Sequence, residues 1–158
     1  MVKDLAFLGR IKYHRMNSEH LDQVASIERE SFQTPWSKDT FSYEIRFNTF
    51  AHYMVALAGK KKVAGYAGMW VIMDEAHITN VAVQKNQRGR GLGLELMQRM
   101  IAWALALGAV RMTLEVRASN TPARSLYATL GFKERGVRKN YYTDTGENAI
   151  IMWKDRLP

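Results

Sequence analysis

The sequence predicts an α/β domain with one mixed, mostly antiparallel sheet of about seven strands flanked by about four helices. Three observations carry that prediction. Short β-rich apolar stretches alternate with longer segments whose apolar residues recur at helical spacing. Glycine and proline mark most of the joins between them. No repeat, low-complexity tract or linker interrupts the 158 residues. Residues 1–158 therefore read as a single domain, long enough to bury a core.

The first strand falls at residues 11–16. Asn17 or Ser18 then caps a helix whose apolar positions are Leu21, Val24, Ala25 and Phe32. The pattern breaks at Pro35 and restarts at Ser37, which gives a second short helix to about Phe47. "AHYMVAL" and "VAGYAGMWVI" read as a hairpin about the turn "AGKKK", and "EAHITNVAV", residues 75–83, as a fourth strand. A glycine-rich loop leads into a helix that runs to Leu107 and is stopped by Gly108. Leu94, Met97, Ile101 and Ala104 make one face of it, and Glu95, Gln98, Arg99 and Ala102 the other. "VRMTLEV" is a fifth strand. Residues 122–130 form a short helix with Pro122 at its start and Gly131 at its end. Two strands near 132–142 and 148–154 complete the sheet.

Composition narrows the function classes. The chain has 47% hydrophobic and 24% charged residues, ordinary for a globular protein. No apolar run approaches the ~20 residues that span a bilayer. The start, "MVKDLAFLGRIKYHRM", lacks the apolar centre and cleavage site of a signal peptide. With no cysteine, disulfides, thiolate metal sites and a cysteine nucleophile are excluded, which suits a cytoplasmic location. The four histidines (His14, His20, His52, His77) are scattered without metal-ligand spacing, so no metal is expected. The net charge of +8 favours polyanionic company, either RNA or a multiply phosphorylated small molecule.

"QKNQRGRGLGLELMQRM", residues 84–100, decides between those partners. Glycine costs roughly 1 kcal/mol per helical position relative to alanine, yet three glycines lead into this helix. What glycine offers in return is close approach of backbone N–H groups to an anion. A phosphate-binding Walker loop needs Gly-Lys before Ser or Thr, and here Leu94 follows Gly93. A dinucleotide fingerprint needs G-x-G-x-x-G after the first strand of the fold; here the spacing is G-x-G-x-G, after four strands. The pattern Arg88-x-x-Gly91-x-Gly93 resembles instead the acetyl-CoA pyrophosphate loop of the GNAT N-acetyltransferases. "FQTPWSKDTF", "ITNVAV", "QRGRGLG", "LEVRASNTPARSLYATLGF" and "RKNYY" follow in order. Together they resemble the RimI-type bacterial enzymes that acetylate the N-terminal alanine of ribosomal protein S18. The resemblance runs from about Lys12 to Trp153.

The resemblance implies a site. Arg88, Gly89, Arg90, Gly91, Leu92, Gly93 and Leu94 would hold the pyrophosphate, by backbone N–H groups, the helix end and arginine charge. The backbone of Val81, Ala82 and Val83 would pair with the cofactor's amide arm. Asn120 is suited to bond that arm, or is merely a turn residue. Glu115 falls on the family's base position; read as bare sequence, it could equally be paired with Arg111 or Arg117. Tyr127 matches the family's general acid, or is a core tyrosine, or both. Trp36, Tyr141 and Tyr142 would line the peptide groove; as bare sequence, they could equally be packing.

The implied reaction is acetyl transfer from acetyl-CoA to a protein N-terminus, by direct attack of the amine. An α-amino group with pKa about 7.7–8.0 asks for only a modest base. Two other readings stay open at this point. One is a relative acting on other N-termini or a small amine. The other is a catalytically inert, basic ribosome- or RNA-binding module, although no RNA-binding motif is visible.

Overall fold

The computed structural model describes residues 2–158. It opens with a one-turn helix α1 (Leu5–Leu8), followed by β1 (Ile11–Arg15), α2 (Leu21–Ser31) and α3 (Lys38–Phe47). The hairpin β2 (Ala51–Ala58) and β3 (Lys62–Ile72) comes next, then β4 (Glu75–Val83) and α4 (Leu92–Ala106). The chain finishes with β5 (Arg111–Arg117), α5 (Thr121–Thr129), β6 (Lys133–Tyr142) and β7 (Glu147–Lys154). Among the described residues these strands form one seven-stranded sheet in the order β1-β2-β3-β4-β5-β7-β6. Pairing is antiparallel for β1–β2, β2–β3, β5–β7 and β6–β7, and parallel for β4–β5. No helix among the described residues is long and apolar enough to cross a membrane.

This is the mixed α/β sheet that the sequence predicts, with one helix more than expected. α1 has four residues, too few for a 3.6-residue period to show. Its start is fixed by Asp4, whose carboxylate accepts the Phe7 N–H at 3.0 Å.

The chain divides into two compact units, Met1–Trp70 with Thr79–Met100, and Val71–Ile78 with Ile101–Pro158. In the first unit, Asn17 caps a 3₁₀ turn, Ser18–His20, rather than α2 itself. Its side chain accepts the Glu19 N–H, and His20 Nδ1 accepts the Asn17 N–H in return. α2 buries Leu21, Val24 and Ala25 as expected, but Ile27 and Glu28 complete its inner face. Phe32 is 37% exposed and sits in extended backbone just past the helix, which corrects its expected place on the apolar face. The core of this unit joins Val24, Phe41, Tyr53 and Tyr66. Phe41 lies edge-on to both tyrosine rings, at 6.2 and 5.8 Å between centroids.

Leu92, Leu96, Met97 and Met100 of α4 are also fully buried, each contributing roughly 1.5–3 kcal/mol of transfer free energy. The apolar stripe of α4 is therefore broader than its expected face, because Leu96 and Met100 join it.

In the second unit, β5 alternates strictly. Met112, Leu114 and Val116 are buried, while Arg111, Thr113, Glu115 and Arg117 share the half-exposed face. Glu115 stands opposite Ile151 of β7.

Candidate functional site

The glycine loop belongs to the first unit. Gly89 and Gly91 have φ of 78° and 95°, left-handed backbone that glycine adopts at little cost. They precede α4 rather than weaken it, and of the three loop glycines Gly93 alone falls inside the helix. The first helical bond at this end runs from Glu95 N–H to Gly91 O, at 3.1 Å. The N–H groups of Leu92, Gly93 and Leu94 come ahead of it, at the positive end of a 15-residue helix. Such an end suits a phosphate group.

Both loop arginines are engaged within the chain. Arg88 donates from Nε to the Val83 carbonyl at 2.9 Å and from Nη2 to Ser31 Oγ at 3.0 Å. Arg90 donates from Nε and Nη2 to Asp4 Oδ2, at 3.0 and 2.7 Å, and from Nη1 to Gln87 at 2.7 Å. Its guanidinium also stacks 3.8 Å from the centroid of the Phe7 ring. The Phe7 N–H first, and Arg90 second, hold the Asp4 carboxyl below the ordinary carboxylate range. Asp4 N–H in turn donates to the Arg90 carbonyl at 3.0 Å. Asp4 and Phe7, which belong to no motif, thus brace the glycine loop.

Val81, Ala82 and Val83 lie at the end of β4. The parallel pairing of β4 with β5 covers Glu75–His77 against Arg111–Thr113, so all three residues lie beyond its last pair.

Trp36 follows α2 in the first unit. Its backbone N–H donates to Glu28 Oε2 at 2.9 Å, and its ring packs 5.4 Å from Phe41. Glu28 is 2% exposed and also accepts from the Tyr66 hydroxyl at 2.5 Å and from Asn80 at 3.3 Å. Burial first, and the Glu28 charge second, push the Tyr66 phenol far up, so it remains the donor. Sequence reasoning missed Glu28, although its position continues the spacing of Leu21, Val24 and Ala25.

The second unit holds the titratable candidates. Glu115, with a side chain 14% exposed, meets His77 Nε2 at 2.6 Å. The two arginines that could have paired with it are paired elsewhere. Arg111 is 3.0 Å from Asp74 and 3.9 Å from Glu75. Arg117 is 2.6 Å from Asp144 and 3.5 Å from Glu147. Nothing in the local sequence pairs His77 with Glu115; the sheet does, by placing β4 beside β5.

Tyr127 is half-buried, with its ring 5.9 Å from Phe132. Burial, and after it the influence of Tyr142, push its phenol up to about 12. Tyr142 is likewise pushed up to about 12, by burial first; Arg117, 4.0 Å over its ring, opposes the shift, while Tyr141, Glu115 and Glu147 add to it. Tyr141 stands perpendicular to Tyr142 at 5.1 Å. The side-chain oxygen of Asn120 caps α5 by accepting the Ala123 N–H at 3.3 Å.

The chain as a whole has relatives among known proteins. The Acetyltransferase (GNAT) family model matches residues 21–132, and the chain belongs to that family. A Bacillus subtilis (strain 168) protein, provisionally named a ribosomal protein bS18-alanine N-acetyltransferase, is 46% identical over 138 residues, covering 87% of this chain and 91% of that one. The Escherichia coli (strain K12) protein named ribosomal protein bS18-alanine N-acetyltransferase is 38% identical over 139 residues, with 87% and 92% covered. A crystal structure of the enzyme of that name from Escherichia coli superposes with a TM-score of 0.82 at 34% identity, over 90% and 92% of the two chains. Ard1 from Thermoplasma volcanium shares the fold, with a TM-score of 0.84 at 23% identity over 94% and 99%.

Proposed function

We propose that residues 1–158 act as one acetyltransferase domain. It moves the acetyl group of acetyl-CoA to the α-amine of a protein N-terminus, with the N-terminal alanine of ribosomal protein S18 as substrate and the cytoplasm as the compartment. One observation carries the mechanistic reading: Glu115 is a sparsely exposed carboxylate held by an imidazole, while Arg111 and Arg117 are bound to other acids. A carboxylate so placed remains available as a proton acceptor. The names of the bacterial relatives support the choice of substrate.

Acetyl-CoA supplies the activated acetyl thioester. The N–H groups of Leu92, Gly93 and Leu94 bind its pyrophosphate, with Gly89 and Gly91 giving the backbone its approach. Arg88 and Arg90 act chiefly by fixing the loop, since both guanidiniums are already bonded. The backbone of Val81, Ala82 and Val83 pairs with the amide arm. The Asn120 side chain, with its oxygen on the helix cap, has its amide N–H left to offer that arm.

Glu115 accepts the proton that the α-ammonium must lose before it can attack. Tyr127 offers its O–H to the departing sulfur. A phenol at about 12 stays protonated throughout the physiological range. It is a weaker acid than a thiol of pKa about 8.5, so Tyr127 stabilises the leaving group by a hydrogen bond rather than by early proton transfer. Trp36, Tyr141 and Tyr142 orient the peptide.

Cofactor binding tests the loop. Acetyl-CoA should raise the melting temperature, by the equivalent of about 2.7 kcal/mol at a hundredfold excess over Kd. Gly91→Val should remove that shift, because valine resists a φ of 95° and its Cβ would crowd Lys3 at 3.1 Å. Equal shifts in wild type and variant would refute the pyrophosphate role of the loop.

A further inference from the structure

Asp4 and Phe7 lie ahead of β1, outside the residues that the family model matches, yet they close on the centre of the glycine loop. Arg90 is the residue between the two left-handed glycines, Gly89 and Gly91. Asp4 holds it by side chain and by backbone. Its Oδ2 accepts two guanidinium bonds, at 3.0 and 2.7 Å, and its N–H donates to the Arg90 carbonyl at 3.0 Å. Asp4 is itself fixed, because Oδ1 accepts the Phe7 N–H at 3.0 Å. The same segment lies on Gly91, where a Cβ would stand 3.1 Å from Lys3 Cγ and 3.4 Å from Leu8 Cδ1.

We propose that Asp4 is a positioning residue for cofactor binding: by clamping Arg90 it holds the glycine loop in the form that grips the pyrophosphate of acetyl-CoA. This rests on the acetyltransferase reading given above. Asp4 acts through Arg90 and the loop backbone and does not itself meet the cofactor.

The advantage is conformational. Glycine loses more backbone freedom on ordering than any other residue, and this loop contains Gly89, Gly91 and Gly93. A ligand that finds the loop competent for only part of the time binds more weakly by that fraction. With Arg90 clamped between two glycines, the loop is ordered on folding, and the N–H groups of Leu92, Gly93 and Leu94 are set before the cofactor arrives.

Two features separate a clamp from a competitor. A carboxylate that only stood in for a phosphate would need the guanidinium alone. The bond to the Arg90 carbonyl and the Phe7 ring stacked at 3.8 Å are contacts that a phosphate cannot replace. A carboxylate beside an anion site would also ordinarily repel its ligand. Here Arg90 neutralises that charge, and the charge of Arg10 also acts on it.

Three thioesters distinguish loss of grip from general damage. Acetyl-CoA carries the pyrophosphate, and so does dephospho-acetyl-CoA, which lacks only the ribose phosphate. S-acetylpantetheine keeps the amide arm and the acetyl group alone. With a free N-terminal alanine peptide as acceptor, Asp4→Ala is expected to raise KM for acetyl-CoA about tenfold, the effect of a loop competent about a tenth of the time. Its kcat and its KM for peptide should stay within about twofold, as for a change in ground-state binding alone. Dephospho-acetyl-CoA should lose by the same factor. The kcat/KM for S-acetylpantetheine should be unchanged, which also shows that the variant is folded. Asp4→Asn keeps the acceptor for the Phe7 N–H but loses the charge, so it should fall between wild type and Asp4→Ala. Equal losses on all three thioesters would overturn the proposal, because they would reflect damage to the fold as a whole. An unchanged KM for acetyl-CoA would overturn it too, as would a lowered one, which would make Asp4 a competitor for Arg90. In each of these cases the acetyltransferase reading stands. A wild-type enzyme that uses S-acetylpantetheine as well as acetyl-CoA would overturn the pyrophosphate role of the loop, and the proposal with it.

Discussion

Glu115→Gln is expected to lower kcat at pH 7 by about 10²–10⁴-fold, the usual contribution of a general base and about 3–5 kcal/mol of barrier. In the proposed mechanism the carboxylate meets the amine and not the cofactor, so the affinity for acetyl-CoA should stay within about twofold. Raising the pH above about 8 should recover part of the rate, because a growing share of the α-amine is then neutral without help. Glutamine is nearly isosteric and still bonds His77, so stability should change little. Steady-state kinetics from pH 6 to 10, with cofactor affinity measured by melting shift, check this. Full activity at pH 7 would show that Glu115 is structural.

The second large effect concerns Glu28. Three donors converge on its buried carboxylate: the Tyr66 hydroxyl, the Asn80 amide and the Trp36 backbone N–H. Glu28→Ala would orphan them together. Each unsatisfied buried group costs roughly 1–3 kcal/mol, so a loss of about 3–5 kcal/mol is expected. For a chain of this size that lowers Tm by about 6–20 °C. Glu28→Gln, which keeps an acceptor oxygen, should lose less. The functional consequence is specific. With its anchor gone, the Trp36 segment should raise KM for peptide more than KM for acetyl-CoA, as Trp36→Ala or Tyr142→Ala should do directly. Thermal denaturation and two-substrate kinetics on the same variants separate the two effects.

These two acids also mark what can and cannot be read from the sequence. Where a signal is local, the sequence carries it. β4 runs over residues 75–83 as expected, because alternation and flanking turns bound it, and Ser37 caps α3 where Pro35 forces a restart. The glycine loop was legible because left-handed backbone needs glycine at Gly89 and Gly91. The bond between His77 and Glu115 joins residues 38 apart in sequence, and the parallel pairing of β4 and β5 leaves no mark in either segment. Glu28 was passed over because an acid on a helix reads as its solvent face, although its place after Leu21, Val24 and Ala25 put it inside. Phe32 was misplaced for the converse reason: its apolar character suggested core, but α2 ends one residue earlier. The brace from Asp4 to Arg90 spans 86 residues and depends on a helix too short to have a period.

Transfer to a protein N-terminus is the central claim, and matched peptides test it most directly. One carries the N-terminal sequence of ribosomal protein S18 with a free alanine. The other has the same sequence blocked at its N-terminus and bears an accessible lysine. A neutral α-amine is reached near pH 8, whereas a lysine amine with pKa about 10.4 is not, and the proposed base is too modest to close that gap. With acetyl-CoA and mass detection, the free-alanine peptide should gain one acetyl group and the blocked peptide should gain none at a comparable rate. Faster acetylation of the blocked lysine peptide would contradict the account.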